Sequence, residues 1–484
     1  MPGCHDANMM PTNHPLAKQL LAAGQEHVLG FYQDLEPAAR EQLDRQLRGL
    51  DLDLLHQLTH DTHEAPDWSA MARRSTPPPA IRLDDRDAAF ITPAAARRAG
   101  EEALRGGRVA AILVAGGQGT RLGFAHPKGM FPIGPVSGHS LFQILIEKVV
   151  ATARRYNTSV PLYVMTSPAT HEETVEYLAS NQRFGLPAED LRFFCQGTMP
   201  AVDAVTGKLI LATRDSLALA PDGHGGMLEA LSKSGALQQA RDRNITLFFY
   251  GQIDNPLLHL CHPELIGYHL LAESEMTTQV IRKVDPLERV GNVVMVDGKM
   301  HIIEYSDLPP DAARQRNPDD TLYIWAGSIA VHVFDAAFLQ RISRRADALP
   351  FHRAKKKVSF VDAQGVAHTP EQPNALKFER FIFDLLPWAG NTIVVEGNTA
   401  EVFAPVKNAD GAATDTPTAT KNALTRLHTR WLRNAGAQVK QGTPVEISPL
   451  WALDEEQVAQ RMKLPCTIDQ PTYLSPESAS CCMP

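Results

Sequence analysis

A run of apolar residues, Val109-Ala110-Ala111-Ile112-Leu113-Val114-Ala115, ends directly in Gly116-Gly117-Gln118-Gly119-Thr120-Arg121-Leu122-Gly123. The run is short and apolar throughout, as expected of a strand buried on both faces of a sheet. The segment after it holds four glycines and an arginine in eight residues, more than a tight turn requires. Glycine lets main-chain N–H groups close on an anion, so this strand end predicts a phosphate-binding loop.

Beyond the loop, helical and extended patterns alternate. A helix is expected from about Ser140 to Arg154, then a second apolar strand, Pro161–Met165. Another buried strand, Ile245–Tyr250, leads to Asp254-Asn255. Strand, helix and strand in alternation predict a parallel, doubly wound α/β sheet, with ligands beyond the C-terminal strand ends. The Gly-rich loop and Asp254 both fall at such ends. Val293–Val296 and His301–Ile303 flank Asp297-Gly298, a hairpin signal. Residues 408–417 are small and polar and read as a loop before a helix from Thr418 to Asn434.

Two familiar phosphate loops fit poorly. A Walker loop closes on Gly-Lys-Ser/Thr, whereas Gly123 precedes Phe124-Ala125. A dinucleotide fold places an acid at the end of its second strand, which here ends Met165-Thr166-Ser167. Just past the loop stands Pro127-Lys128-Gly129-Met130. Proline fixes the chain before Lys128, so the ammonium is offered from a stiff segment beside the loop. Asp254, a carboxylate at a strand end followed by Asn255, suits a hard cation such as Mg²⁺, or else caps a turn.

The chain has 484 residues, enough for a large catalytic domain with additions. We expect a helical N-terminal region over 1–85, a catalytic domain over 86–410 and a small C-terminal region over 411–484. Residues 1–15 and the tail beyond about Ser475 read as loose. Leucines and other apolar residues from Pro15 to about Leu58 follow helical spacing. The formal charge of -8 argues against nucleic acid or an anionic membrane as partner. The six cysteines show no CxxC spacing. There is neither a leader-like apolar start nor an apolar run of membrane-spanning length, so a reducing cytoplasm is expected.

The string Gly-Gly-x-Gly-Thr-Arg-Leu-Gly, with Pro-Lys-Gly after it and Ser140-Leu141-Phe142-Gln143 beyond, resembles the sugar-nucleotide pyrophosphorylases, specifically the eukaryotic-type UDP-N-acetylhexosamine pyrophosphorylases. Further matches come in family order. They are Ala23–His27, Phe194-Cys195-Gln196 with Pro200-Ala201, Ala220–Gly226, Ile253–Asn255, Glu304–Ser306, Ala326–Ser328, Lys377–Glu379 and Pro405–Asp410. The resemblance implies a Rossmann-like, GT-A-like nucleotidyltransferase fold with a mixed sheet. It implies UTP and a sugar 1-phosphate as substrates, N-acetylglucosamine 1-phosphate favoured, with Mg²⁺ as cofactor.

It also implies roles. The loop Ala115, Gly116, Gly117, Gln118, Gly119 and Thr120 would bind the nucleotide. Gln196 would read uracil, and Gly223 would let the main chain approach the base. Glu304 and Tyr305, with His224, Ser328 and Lys377, would contact the sugar. Arg121 and Lys128 would hold the pyrophosphate side, and Lys407 the incoming phosphate. Plainer readings stand beside these: a locally bonded amide for Gln196, a loop imidazole for His224, a strand-end glutamate for Glu304, surface lysines for Lys128 and Lys407.

The implied reaction is attack of a sugar-phosphate oxygen on the α-phosphorus of UTP. The nucleophile is already anionic, so charge neutralisation replaces a general base. A non-catalytic UDP-sugar binder would dispense with the three cations, and a dehydrogenase would carry the ribose acid. His224 and Ser328 depart from the family, which carries Asn at both. Relaxed selectivity is therefore expected, with glucose or galactose 1-phosphate also accepted.

Overall fold

A computed structural model of the chain describes residues 14–60, 67–85, 90–345 and 347–478. Most of residues 1–15, the end of the tail, and Cys4, Cys481 and Cys482 lie outside these. The chain divides into two compact units, each discontinuous in sequence. One comprises the described residues within Met1–Ala65, Gln196–Gly226 and Leu349–Ile382; the other those within Pro66–Cys195, Met227–Ala348 and Phe383–Pro484.

The larger unit is built on one ten-stranded sheet. In chain order its strands are β1 (Ala80–Ile81), β2 (Val109–Val114), β3 (Leu162–Thr166), β4 (Leu191–Cys195), β5 (Leu247–Gln252), β6 (Met276–Arg282), β7 (Gly291–Val296), β8 (Lys299–Ile303), β9 (Ala326–Asp335) and β10 (Thr392–Glu396). The spatial order is β1-β10-β6-β9-β5-β2-β3-β4, with β7 paired to β9 and β8 to β7. Strands β5, β2, β3 and β4 run parallel, as the apolar runs predict. The sheet is nevertheless mixed, because β9 lies antiparallel to both β5 and β6. A wholly parallel sheet is thus corrected to the mixed one that the family resemblance implies.

Helices α1 (Pro93–Arg105), α2 (Leu141–Tyr156), α3 (His171–Ser180), α4 (Pro263–Leu271) and α5 (Pro417–Asn434) belong to this unit. Helix α2 starts where the sequence predicts: the Ser140 hydroxyl accepts from the Gln143 N–H at 3.2 Å, satisfying an otherwise orphaned helix donor. It ends at Asn157 in the left-handed region. Its apolar face, including Leu141, Leu145 and Val149, closes on Ala111, Leu113 and Val164 of the sheet in one core. The β7–β8 hairpin turns on Asp297-Gly298, both at positive φ.

In the smaller unit, helices Ala17–Ala22, Pro37–Arg48 and Leu52–His60 carry the helical spacing of the N-terminal region. Leu20, Leu43, Leu47 and Leu55 bury against Val202, Leu211, Leu217 and Phe378. These helices therefore share a core with residues more than a hundred positions away. Residues 80–81, by contrast, form a strand of the larger unit's sheet.

Candidate active site

Strand β2 delivers the chain into the Gly-rich loop, and main-chain bonds then fold that loop back on itself. Gly119 N–H donates to His126 C=O at 3.0 Å, Phe124 N–H to Gly119 C=O at 3.1 Å and Lys128 N–H to Gly117 C=O at 3.0 Å. The buried Ser167 hydroxyl donates to Gly116 C=O at 2.8 Å. A β-carbon on Gly119 would meet the Phe124 carbonyl oxygen at 2.8 Å, so this close approach requires glycine. Lys128 follows Pro127 into a single 3₁₀ turn and is buried.

The loop does not stand alone. Lys128 Nζ lies 3.9 Å from Asp254 Oδ2. Asp254, just past the end of β5, is buried, and its C=O accepts from Val406 N–H at 2.8 Å. Asn255 clamps the same segment: its amide donates to Val402 C=O at 2.7 Å and accepts from Ala404 N–H at 3.1 Å. Ala409 N–H donates to Arg121 C=O at 3.0 Å. Lys407, between these two anchors, is thereby tied to both Asp254 and Arg121. The three cations expected from sequence, Arg121, Lys128 and Lys407, are brought to one place around Asp254.

Burial lowers the Lys128 pKa from its usual value, Asp254 opposing that shift; Arg121 and Lys407 lower it further, and Asp415 raises it. A fifth charge, Asp415, thus belongs to the site, although its residue type and sequence context do not advertise it. Its C=O accepts from Lys407 N–H at 2.8 Å and Asn408 N–H at 3.0 Å. It sits at φ 59°, an unusual conformation for a non-glycine residue. Burial raises its carboxyl pKa, Asp254 adds to that, and Lys407, Arg289 and Lys128 oppose it.

Asp254 disfavours the charge on Asp415, and two neighbouring carboxylates form a hard-oxygen pair suited to a divalent cation. Among the described residues no three His, Cys, Asp or Glu side chains are grouped around a metal position. Mg²⁺ takes one or two protein carboxylates and completes its shell with phosphates and water. The donor set fits the ion.

Beyond β8, Glu304 approaches β9. A methyl group built on Gly291 would stand 3.6 Å from Glu304 Oε1 and 3.8 Å from Ser328 Cβ, so Glu304 and Ser328 share one corner. Ser328 is half-buried, and its hydroxyl accepts from Ala330 N–H at 3.3 Å. Buried Lys283 donates to Asn292 Oδ1 at 2.6 Å and braces β7 beneath that corner. Tyr305 is 48% exposed.

The smaller unit holds Gln196, Gly223, His224 and Lys377. Gln196 is buried. The next residue, Gly197, accepts at its C=O from Asp222 N–H at 3.1 Å, which sets Gln196 beside the 222–226 loop. Gly223 has φ 84°, and a β-carbon there would meet Arg380 main-chain atoms at 2.4 and 2.7 Å. Only glycine fits. The buried Asp222 carboxylate pairs with the Arg380 guanidinium, and Arg380 N–H donates to Asp222 C=O at 2.8 Å. Asp222 and Arg380 are thus positioning residues for this loop; the family match over Ala220–Gly226 is the sequence signal for the first.

His224 Nδ1 accepts from Ile382 N–H at 3.3 Å, which fixes the proton on Nε2 when the ring is neutral. Its ring lies 5.4 Å from Phe381, which in turn lies 4.7 Å from His352. Burial, with His352 nearby, lowers its pKa to about 4. His224 is therefore a neutral donor. Lys377 stands in the strand Ala375–Glu379, opposite Ala354.

Comparison with known proteins extends this picture. Residues 61–460 match the family described as UTP–glucose-1-phosphate uridylyltransferase. The UDP-N-acetylhexosamine pyrophosphorylase-like protein 1 of Xenopus tropicalis is 36% identical over 448 residues, covering 88% of this chain and 86% of that protein. The UDP-N-acetylglucosamine pyrophosphorylase of Saccharomyces cerevisiae is 35% identical over 370 residues, covering 75% and 78%. The crystal structure of the uridine diphosphate N-acetylglucosamine pyrophosphorylase from Trypanosoma brucei, in complex with inhibitor, aligns with TM-score 0.81 at 27% identity over 95% of this chain and 98% of that one. A chain that folds one Gly-rich strand end, three cations and two carboxylates into a single cluster, and that aligns with these proteins over most of its length, belongs to the UTP–glucose-1-phosphate uridylyltransferase family, among its UDP-N-acetylhexosamine pyrophosphorylases.

Proposed function

We propose that this chain joins UTP to N-acetylglucosamine 1-phosphate, giving UDP-N-acetylglucosamine and pyrophosphate. The observation that carries the reading is the cluster of Arg121, Lys128, Lys407, Asp254 and Asp415, held by the main-chain bonds of Val406 to Asp254 and Ala409 to Arg121. Two polyanions must meet at a distance where each repels the other. Three cations fixed by the fold lower that barrier without reorganising during the reaction.

In the proposed reaction an oxygen of the sugar 1-phosphate attacks the α-phosphorus of UTP. The bond to the β-phosphate oxygen breaks, and pyrophosphate leaves with that electron pair. Arg121, Lys128 and the loop Ala115–Thr120 take the UTP phosphates and the growing charge of pyrophosphate. Lys407 takes the incoming phosphate. Asp254 and Asp415 would hold a Mg²⁺ ion, which supplies further charge neutralisation. Gln196, with a donor and an acceptor on one amide, suits the edge of uracil, and Gly223 leaves room for the base. Glu304 would accept from sugar hydroxyls, with Ser328 beside it; the family resemblance gives sugar contacts to Tyr305 in the larger unit and to His224 and Lys377 in the smaller. No Ser, Cys or His nucleophile is needed.

Among the described residues no helix is long and apolar enough to cross a membrane. Among the described residues Cys195, Cys261 and Cys466 are joined in no disulfide, which supports a reducing cytoplasm as the working compartment. The test is pyrophosphate release from UTP, Mg²⁺ and a panel of sugar 1-phosphates. Release with N-acetylglucosamine 1-phosphate supports the reading; no release with any sugar 1-phosphate refutes it.

A further inference from the structure

The segments that carry Asp254 and Lys407 also line a cavity of about 220 Å³ in the larger unit. Its walls are mostly apolar: Ile144 of α2, Leu257, Val402, and Leu424, Leu427 and Trp431 of α5. A cavity of about 150 Å³ with such walls accommodates benzene, so this one has room for an aromatic ring and a short substituent.

Its polar lining is unevenly satisfied. The acids in it already have partners: Asp454 pairs with Arg155, Glu401 with Arg430 at 2.7 Å, and Glu455 accepts from Asn434 at 2.8 Å. Glu446 accepts from Val136 N–H at 2.8 Å, Ser137 N–H at 2.7 Å and the Ser137 hydroxyl at 2.7 Å. The basic groups are placed differently. Lys148 Nζ donates to two main-chain carbonyls, Pro256 at 2.6 Å and Leu258 at 2.9 Å, and among the described residues it has no carboxylate partner. An ammonium has three N–H donors, so one remains. His259, His262 and His428 line the same cavity. Burial holds the His428 imidazole neutral with a pKa near 3, and lowers Lys148 to about 7. A half-buried ammonium matched only by neutral dipoles is stabilised by any anion brought to it.

We propose that this cavity is a binding site for a small organic monoanion with an apolar body: the ring or chain against Ile144, Leu257, Leu424, Leu427 and Trp431, the carboxylate on Lys148. The position makes the site separate from the cluster at Lys128, although the two share the chain segments on either side of Asn255.

The experiment uses the full chain and three probes of one shape, 3-phenylpropanoate, 3-phenylpropanol and 3-phenylpropylamine, with binding read by titration calorimetry and by ligand-observed NMR. Binding is measured without turnover, so the result does not depend on the proposed reaction. The carboxylate is expected to bind at least tenfold more tightly than the alcohol, and the amine not at all. Lys148→Met should abolish the preference for the carboxylate. Leu424→Trp, which fills the cavity from α5, should abolish binding, and it decides the matter if Lys148→Met fails to fold. Lys128→Ala should leave binding unchanged. Equal affinity for acid and alcohol, binding that survives Leu424→Trp, or binding lost in Lys128→Ala would each overturn the proposal.

Discussion

Lys128 Nζ stands 3.9 Å from Asp254 Oδ2, with only 11% and 12% of the two side chains exposed. The pair is too buried to be a casual surface contact and too long for a tight hydrogen bond. It leaves the ammonium directed at the same space as Arg121 and Lys407. Removing one fixed charge from a phosphoryl-transfer site costs several kcal/mol of transition-state stabilisation. Lys128→Ala should therefore lower kcat by about 10² or more, with folding intact by circular dichroism. Turnover within threefold of wild type would remove Lys128 from the chemistry.

The carboxylates give a second test. Asp254 disfavours the charge on Asp415, and a divalent cation would relieve that. Activity should need Mg²⁺. Asp254→Asn should be nearly inactive, and Asp415→Asn should raise the Mg²⁺ concentration for half-maximal rate about tenfold, a loss of ~1.4 kcal/mol in metal affinity. Full activity in excess chelator would dismiss the ion.

Asp222 and Arg380 form a buried ion pair between residues 158 positions apart. Breaking such a pair strands one charge, at a cost of about 3 kcal/mol or more. Arg380→Met should lower the melting temperature and raise the KM for UTP, because the loop at Gly223 is shaped on the Arg380 main chain and braced by its side chain. An unchanged KM for UTP would show that the 222–226 loop does not touch the base.

Much of this arrangement is legible in the chain itself. Strand β2, its loop, helix α2 from about Ser140 and the Asp297-Gly298 hairpin each come from local pattern, since each depends on neighbours only a few residues apart. The grouping of Lys128 with Asp254 and Lys407 is not local, and only the order of family motifs points to it. Asp415 is hidden within a polar stretch that reads as a loop. Its place in the site comes from main-chain bonds to Lys407 and Asn408, which carry no side-chain signature. Strand β9 is hidden for a related reason. Pairing against β5 and β6, a long-range matter, makes it antiparallel. A unit assembled from three separate segments likewise has no linear boundary to read.

His269 offers a test of stability against pH. It is buried on α4, its Nδ1 lies 2.9 Å from the Thr277 hydroxyl, and burial lowers its pKa from 6.5 to about 4. Below pH 6.5 the unfolded chain takes up a proton that the folded chain refuses until about pH 4, so stability falls as pH falls through that window. One such histidine accounts for about 2 kcal/mol between pH 7 and pH 5. His269→Gln should flatten the fall of melting temperature over this range relative to wild type. Parallel curves for the two proteins would mean that His269 takes up its proton over the same pH range in the folded and unfolded chains.

The proposed relaxed selectivity for the sugar concerns two positions where the family resemblance expects asparagine. Ser328 is short, and its hydroxyl is committed to Ala330 N–H at 3.3 Å, so the corner beside Glu304 is open where an amide would reach. His224 is held neutral, accepting at Nδ1 from Ile382, and offers an Nε2 donor but no carbonyl acceptor. An asparagine amide offers both an N–H donor and a C=O acceptor to a sugar substituent, and neither a serine hydroxyl committed to the main chain nor a neutral imidazole offers that pair. A site that does not pair with a group rejects the analogue lacking that group weakly. Glucose and galactose 1-phosphate should therefore be used with kcat/KM within about 10² of N-acetylglucosamine 1-phosphate, a gap of under ~3 kcal/mol. His224→Asn with Ser328→Asn should widen the gap by about tenfold or more. A wild-type preference of about 10³ or greater would place the discrimination elsewhere, since neither position would then be the weak point of the site.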